Sequence, residues 1–170
     1  MNERKGIITM QGNPLTLLGP ALKVGDKAPD FTVIAGDLSP VTLEHSKGKT
    51  RLISVVPSLD TPVCDAQTKR FDQEAEKFSS QVEVLTISMD LPFAQKRFCN
   101  VNSIKRKTLS DFNTASFGQN YGILVKELRL LTRAIFVIGA DDKIKYLEIV
   151  PEITNHPNYE KALAAVKSLS

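Results

Sequence analysis

The chain has 170 residues, 42% apolar and 24% charged, the size and composition of one globular domain (residues 1–170) that buries its own core. Its 22 Lys and Arg are interspersed with 19 Asp and Glu, giving a net charge of +3; without a basic block or aromatic-basic stripe, nucleic-acid binding is not expected. No signal peptide or membrane span is visible, and two cysteines do not make a disulfide scaffold, so a cytoplasmic protein with free, catalytic or redox-active thiols is expected.

In chain order, residues 7–18 read as an N-terminal hairpin, two β-rich runs joined by a turn at Gly12-Asn13. Two short strands follow, around residues 31–34 and 41–43. The run "RLISVV" (51–56) is apolar without strict alternation, as expected of a strand buried on both faces. Pro57 stops it. Beyond, Phe71, Ala75 and Phe78 fall at i, i+4 and i+7, an amphipathic helix.

"VEVLTISMD" is the next buried strand, and "PFAQKRFCNVN" is a short helix opening with Pro92 in its first turn. A helix over 111–121 is a weaker signal. "RAIFVIGADDKIKYLEIV" gives two strands around a turn at 139–142. Tyr159, Leu163 and Val166 share one face of a final helix, with Asn158 as its cap. Alternating strands and helices make this an α/β domain.

Cys64, in "PSLDTPVCDAQTKRF", stands where a strand gives way to a helix. It is a packed core residue, a metal ligand, half of a disulfide or a nucleophile. Metal binding has little support: His45 and His156 lie in polar, turn-like segments far from both cysteines, without CxxC or HxxxH spacing. A helix N-terminus stabilises a thiolate and lowers thiol pKa values from about 8.5 to between roughly 3.5 and 7.5. Thr61 is placed to cap this helix, its hydroxyl near the N–H groups of Val63 and Cys64.

Acidity alone does not make a fast thiol. A drop to about 6 raises the thiolate fraction at pH 7 roughly 30-fold, and the accompanying loss of nucleophilicity removes about tenfold. An efficient Cys64 therefore needs groups that favour the transition state, with an arginine the obvious candidate. Cys99, the second cysteine, lies in the short helix, and its bland reading is a half-buried core residue. A disulfide to Cys64 would close a loop of about 36 residues, worth roughly 3–4 kcal/mol by chain entropy. Two helix-borne cysteines rarely stand within the roughly 7 Å Cα separation that a disulfide needs, so local unwinding of one or both helices is predicted.

The octet from Pro57 to Cys64 matches P-x-x-x-T-x-x-C. With "QGNPLTL", "ISMDLPFAQKRFC", "LTRAIFVI" and "EITNHPNYEKAL" in order, the chain resembles the thiol peroxidase subfamily of the peroxiredoxins, the atypical two-cysteine type, nearly end to end. The resemblance implies a thioredoxin-like fold, a central mixed sheet flanked by helices with an added N-terminal hairpin. It implies reduction of hydrogen peroxide and organic hydroperoxides to water and alcohols, in antioxidant defence and redox homeostasis, with no metal or organic cofactor.

By the same resemblance Cys64 is the peroxidatic cysteine, oxidised to a sulfenic acid. Thr61 bonds the thiolate and the peroxide, Arg133 polarises the peroxide, and Pro57 shields the pocket. Cys99 is the resolving cysteine, forming an intramolecular Cys64–Cys99 disulfide that thioredoxin reduces, and the protein is a homodimer without nucleic-acid or membrane partners. Leu59, Val63, Leu91 and Phe93 are pocket-lining or core residues. A non-enzymatic redox switch shares the motif. A disulfide oxidoreductase lacks its C-x-x-C here, and a Cys-His hydrolase lacks a histidine tied to Cys64.

Overall fold

The computed structural model describes residues 1–169. The chain opens with β1 (Glu3–Met10) and β2 (Asn13–Leu18), paired antiparallel with Met10 opposite Asn13. The two turn residues are therefore Gln11 and Gly12, at φ 50° and 80°, rather than Gly12-Asn13. A two-residue loop whose twist matches the strands needs positive φ at both central positions, and this shifts the turn back by one residue. The hairpin also begins earlier than expected, at Glu3.

Next come β3 (Thr32–Ile34), β4 (Pro40–Thr42), β5 (Thr50–Val55), α1 (Pro62–Ala75), β6 (Val82–Ser88) and α2 (Pro92–Asn102). They are followed by β7 (Lys107–Ser110), α3 (Ser116–Asn120), β8 (Leu124–Val125), β9 (Leu130–Leu131), β10 (Ala134–Ile138), β11 (Ile144–Ile149) and α4 (Tyr159–Lys167). Leu43, expected in a strand, instead opens a single 3₁₀ turn. The central sheet runs β11-β10-β5-β6-β7-β3-β4. β5, β6 and β7 are parallel, and the outer pairs are antiparallel, so the sheet is mixed as expected. The hairpin adds a second sheet, β1-β2-β8-β9.

Every residue of β5 and β10 is buried, because both faces of the central sheet are covered. On one face Leu52, Val84, Ile135 and Val137 meet Phe71 of α1 and Leu163 and Val166 of α4. On the other, Ile53, Ile87 and Phe136 join an aromatic cluster in which Phe117 and Tyr121 lie 4.4 Å apart, ring to ring, and Tyr121 meets Phe136 edge-on at 5.1 Å. Each such side chain removed from water stabilises the fold by about 1.5–3 kcal/mol before entropy is counted.

The helix expected over 111–121 is confined to α3. Asp111 does not start it: its carboxylate accepts from the N–H groups of Phe117 (3.1 Å) and Gly118 (2.8 Å), capping the helix from outside. Burial pushes this carboxyl up to about 6. At the amino end of β5, buried Arg51 donates to Asp142 Oδ1 (2.6 Å), the Gly139 carbonyl (2.9 Å) and Ser46 Oγ (2.9 Å). A charge thus sits inside an apolar-looking strand because its donors are partnered. Among the described residues no helix is long and apolar enough to cross a membrane.

Candidate active site

The site forms at the carboxyl end of β5. Pro57, buried, follows the strand and its extension Val56, and the loop 58–61 leads into α1. Thr61 is in extended conformation (φ −132°, ψ 151°) at the N-cap, Pro62 takes the first helical position, and Cys64 falls in the first turn. Pro suits that first position because its missing N–H would have no helical partner there.

One expectation is corrected. The exposed Thr61 hydroxyl does not cap the helix; it donates to the Ser58 carbonyl at 3.2 Å and braces its own loop. The turn formed by residues 58–61 offers that nearby carbonyl, and the side chain takes it in preference to the helix amides. The first-turn N–H groups of α1 therefore carry no side-chain cap, at the positive end of the helix dipole.

Cys64 is fully buried, packed with Val56, Leu59 and Phe98. Val63 is half-buried, whereas Leu91 and Phe93 are exposed. Two surface grooves, of about 520 and 430 Å³, share Leu59 and Phe98 as walls.

Arg133 reaches Cys64 through sheet register. Ala134 of β10 pairs with Val55 of β5, so the residue before it lies level with Val56, where β5 gives way to the Cys64 loop. Its guanidinium, 3% exposed, donates from Nη2 to Cys64 Sγ (3.3 Å), from Nη1 to Gln67 Oε1 (3.0 Å) and from Nε to the Ile153 carbonyl (2.8 Å). No carboxylate pairs with Arg133 among the described residues; its anchors are neutral oxygens, and the sulfur is the one group in contact that can carry negative charge. A buried positive charge needs such compensation.

Three contributors were missed from sequence. Gln67 stands one turn beyond Cys64 on the same face of α1, fully buried; its amide donates to Ser54 Oγ (2.8 Å), which aims its oxygen at Arg133. The i, i+3 spacing from Cys64 was the available signal. Tyr159, which shares a face of α4 with Leu163 and Val166, packs on Phe71, lies under Arg70 and meets His156 Nδ1 at 2.7 Å, with Arg133 and Cys64 close enough to act on its hydroxyl electrostatically. Burial pushes its hydroxyl up, and Arg133 nearby opposes that.

The third contributor is the Ile153 segment, clamped by the N-terminal hairpin. The Ile153 N–H donates to the Thr9 carbonyl (2.9 Å), while Glu152 Oε1 accepts from Thr9 Oγ1 and the Gly12 N–H (both 2.9 Å). The Thr154 hydroxyl above all, then the Gly12 and Thr154 N–H groups and the Thr9 hydroxyl, hold the Glu152 carboxyl down at about 2. The added hairpin thereby braces the carbonyl that holds Arg133.

Cys99 does not join this group. It lies half-buried on α2, its sulfur 3.3 Å from Thr108 Oγ1 of β7, while the preceding residue, Phe98, faces Cys64. Both cysteines are free thiols. Burial pushes the Cys99 thiol up, partly offset by the Thr108 hydroxyl, so the packed helix keeps it protonated and weakly nucleophilic. His45 and His156 are exposed, as expected. No group of three or more His, Cys, Asp or Glu side chains is placed to hold a metal ion among the described residues.

The redoxin family profile matches residues 23–163. The chain is 62% identical to a thiol peroxidase of Halalkalibacterium halodurans, over 95% of this chain and 97% of that protein. It is 55% identical to a thiol peroxidase of Bacillus subtilis over the same shares of the two chains. Among solved structures, a peroxiredoxin-like protein from Aquifex aeolicus superposes with TM-score 0.91 at 42% identity, covering 98% of this chain and 99% of that one. A thiol peroxidase from Chromobacterium violaceum gives TM-score 0.83 at 17% identity over 95% of each chain, a likeness of fold. The thioredoxin-like architecture expected from the motifs is thus the architecture found.

Proposed function

The chain belongs to the redoxin family, as a thiol peroxidase of the peroxiredoxin group, and from that membership we propose that Cys64 is the nucleophile that attacks hydroperoxides. The observation that carries the reading is the Arg133 Nη2 donor 3.3 Å from Cys64 Sγ, inside a pocket where that guanidinium is fixed by Gln67 and Ile153. The Cys64 thiolate attacks the terminal oxygen of hydrogen peroxide or an organic hydroperoxide. The O–O bond breaks, the new S–O bond makes a sulfenic acid, and water or an alcohol leaves after taking a proton. Arg133 meets the charge that grows on the leaving oxygen, and being held beforehand it need not reorganise as the bond breaks. Pro57 closes the pocket behind the sulfur. Thr61, whose hydroxyl rests on Ser58 in the free protein, turns to the peroxide when it binds.

The Cys99 thiol then attacks the sulfenic sulfur, expelling water and leaving a Cys64–Cys99 disulfide. Because Cys99 faces Thr108 and Phe98 occupies the Cys64 side, α2 unwinds locally to bring the sulfurs together. Its C-cap, Ser103, sits in the left-handed region (φ 55°, ψ 39°), which costs a non-glycine residue roughly 1–2 kcal/mol and weakens that end of the helix. A thioredoxin-type dithiol reduces the disulfide, returning both thiols, and a homodimer in the cytoplasm is part of the same reading.

Replacing Cys99 tests the cycle. Cys99→Ser protein consumes one equivalent of hydroperoxide per chain at close to the unmodified rate and then stops, with no thioredoxin-linked turnover. Coupled NADPH consumption with thioredoxin and its reductase reads this directly. Sustained turnover by that variant would remove Cys99 from the resolving role.

A further inference from the structure

Asp90 lies between β6 and α2, half-buried, and gathers donors from the loop that leads into the Cys64 helix and from β6 and β7, beside the root of the Cys99 helix. Its Oδ1 accepts from Ser58 Oγ (2.7 Å), and its Oδ2 accepts from the Leu59 N–H (2.8 Å) and Ser88 Oγ (2.7 Å). Its backbone carbonyl accepts from Ser110 Oγ at the end of β7. Leu59 packs on Cys64, and the Ser58 carbonyl holds Thr61, so this one carboxylate fixes the loop leading into the Cys64 helix. On the α2 side, Gln95 Nε2 donates to the same Ser88 hydroxyl (3.0 Å) and to the Leu109 carbonyl (2.9 Å), fastening the start of the Cys99 helix to the same point. No cation pairs with Asp90 among the described residues; three of the lone-pair sites of its carboxylate serve hydroxyls and a backbone amide.

We infer that Asp90 is a positioning residue that latches the Cys64 loop to the root of α2 and sets how readily the two segments part after Cys64 is oxidised. The inference rests on Cys64 and Cys99 forming the disulfide proposed above. With the latch closed, Leu59 and Thr61 hold the pocket in the geometry that attacks peroxide. With it open, the Cys64 sulfenic acid and the Cys99 thiol are free to meet. One interaction thus favours oxidation and opposes resolution. While the latch holds, a second hydroperoxide has longer to oxidise the sulfenic acid to a sulfinic acid, itself being reduced to alcohol.

Stopped-flow mixing of reduced protein with one equivalent of cumene hydroperoxide, followed by mass spectrometry of quenched samples, separates Cys64 oxidation from disulfide formation. Asp90→Ala removes both hydrogen bonds that hold the Cys64 loop; it slows the first phase about threefold and speeds the second about tenfold, the net shift expected of a two-state opening when water takes over the freed donors. It also raises the peroxide dose needed for sulfinic acid. Asp90→Asn keeps a carbonyl oxygen for the Leu59 amide and the Ser88 hydroxyl and turns its NH₂ to the Ser58 oxygen, and it restores both phases to about the unmodified rates. Ser58→Ala removes one arm without orphaning the carboxylate, shifts both phases in the same directions by less, and decides the matter if Asp90→Ala does not fold. Phases that slow together, or do not move, in the folded variants overturn the inference alone. An unmodified protein that forms no Cys64–Cys99 disulfide overturns the resolving-cysteine reading, and this inference with it.

Discussion

Cys64→Ser protein, mixed with cumene hydroperoxide, consumes no peroxide above the uncatalysed background, and thioredoxin-linked turnover disappears. Serine fits the space of the buried sulfur, so the packing of Val56, Leu59 and Phe98 around it is kept. What is lost is the nucleophile: a hydroxyl is not ionised at neutral pH and does not attack the peroxide O–O bond as a thiolate does. Cys99 does not substitute. Its sulfur rests on the Thr108 hydroxyl, no arginine donates to it among the described residues, and burial pushes its thiol up, away from ionisation. Residual hydroperoxide measured over time reads the outcome, and turnover at the unmodified rate would mean that Cys64 is not the reacting residue.

Arg133→Met lowers the rate constant for Cys64 oxidation by a factor on the order of 10²–10³, the usual cost of removing one preorganised donor from a developing oxyanion. The argument depends on how completely the guanidinium is fixed. Three nitrogens are committed to Ile153, Gln67 and Cys64, and only 3% of the residue is exposed, so no water replaces the lost donor in the same geometry. Arg133→Lys keeps the charge without the planar fork; one ammonium does not span all three partners, and the variant falls between the two. Alkylation of Cys64 by iodoacetamide provides the control. It needs the thiolate but no stabilised leaving oxygen, so its rate falls much less than the peroxide rate. Equal losses in the two reactions would reduce Arg133 to a group that only maintains the thiolate.

Much of this is legible in the sequence, and for local reasons. β10 is a continuous apolar run and β5 is mostly apolar from Leu52 onward without strict alternation, as suits strands covered on both faces, and α2 announces itself through Pro92 at its first position. The four residues of β7 and the two-residue strands β8 and β9 are too short for any period to show. Arg51 reads as the polar start of a strand, and only the fold reveals the acceptors that let it be buried. At the site, the position of Cys64 at a helix start follows from sequence, but the meeting with Arg133 follows from β5 and β10 lying side by side in one register. No spacing rule links residues so far apart in the chain, and before the structure only the family resemblance linked them. The Thr61 hydroxyl is misassigned from sequence because its two choices, accepting from a helix N–H or donating to the loop carbonyl of Ser58, differ in nothing that sequence displays.

The most direct test of the account is a rapid-mixing experiment on the reduced, unmodified protein with one equivalent of cumene hydroperoxide, counting thiols and mapping the product by mass spectrometry. The account predicts fast loss of both thiols in each chain and a single intrachain link between Cys64 and Cys99. Slow loss, or a chain that keeps the Cys64 thiol intact while peroxide persists, would contradict it.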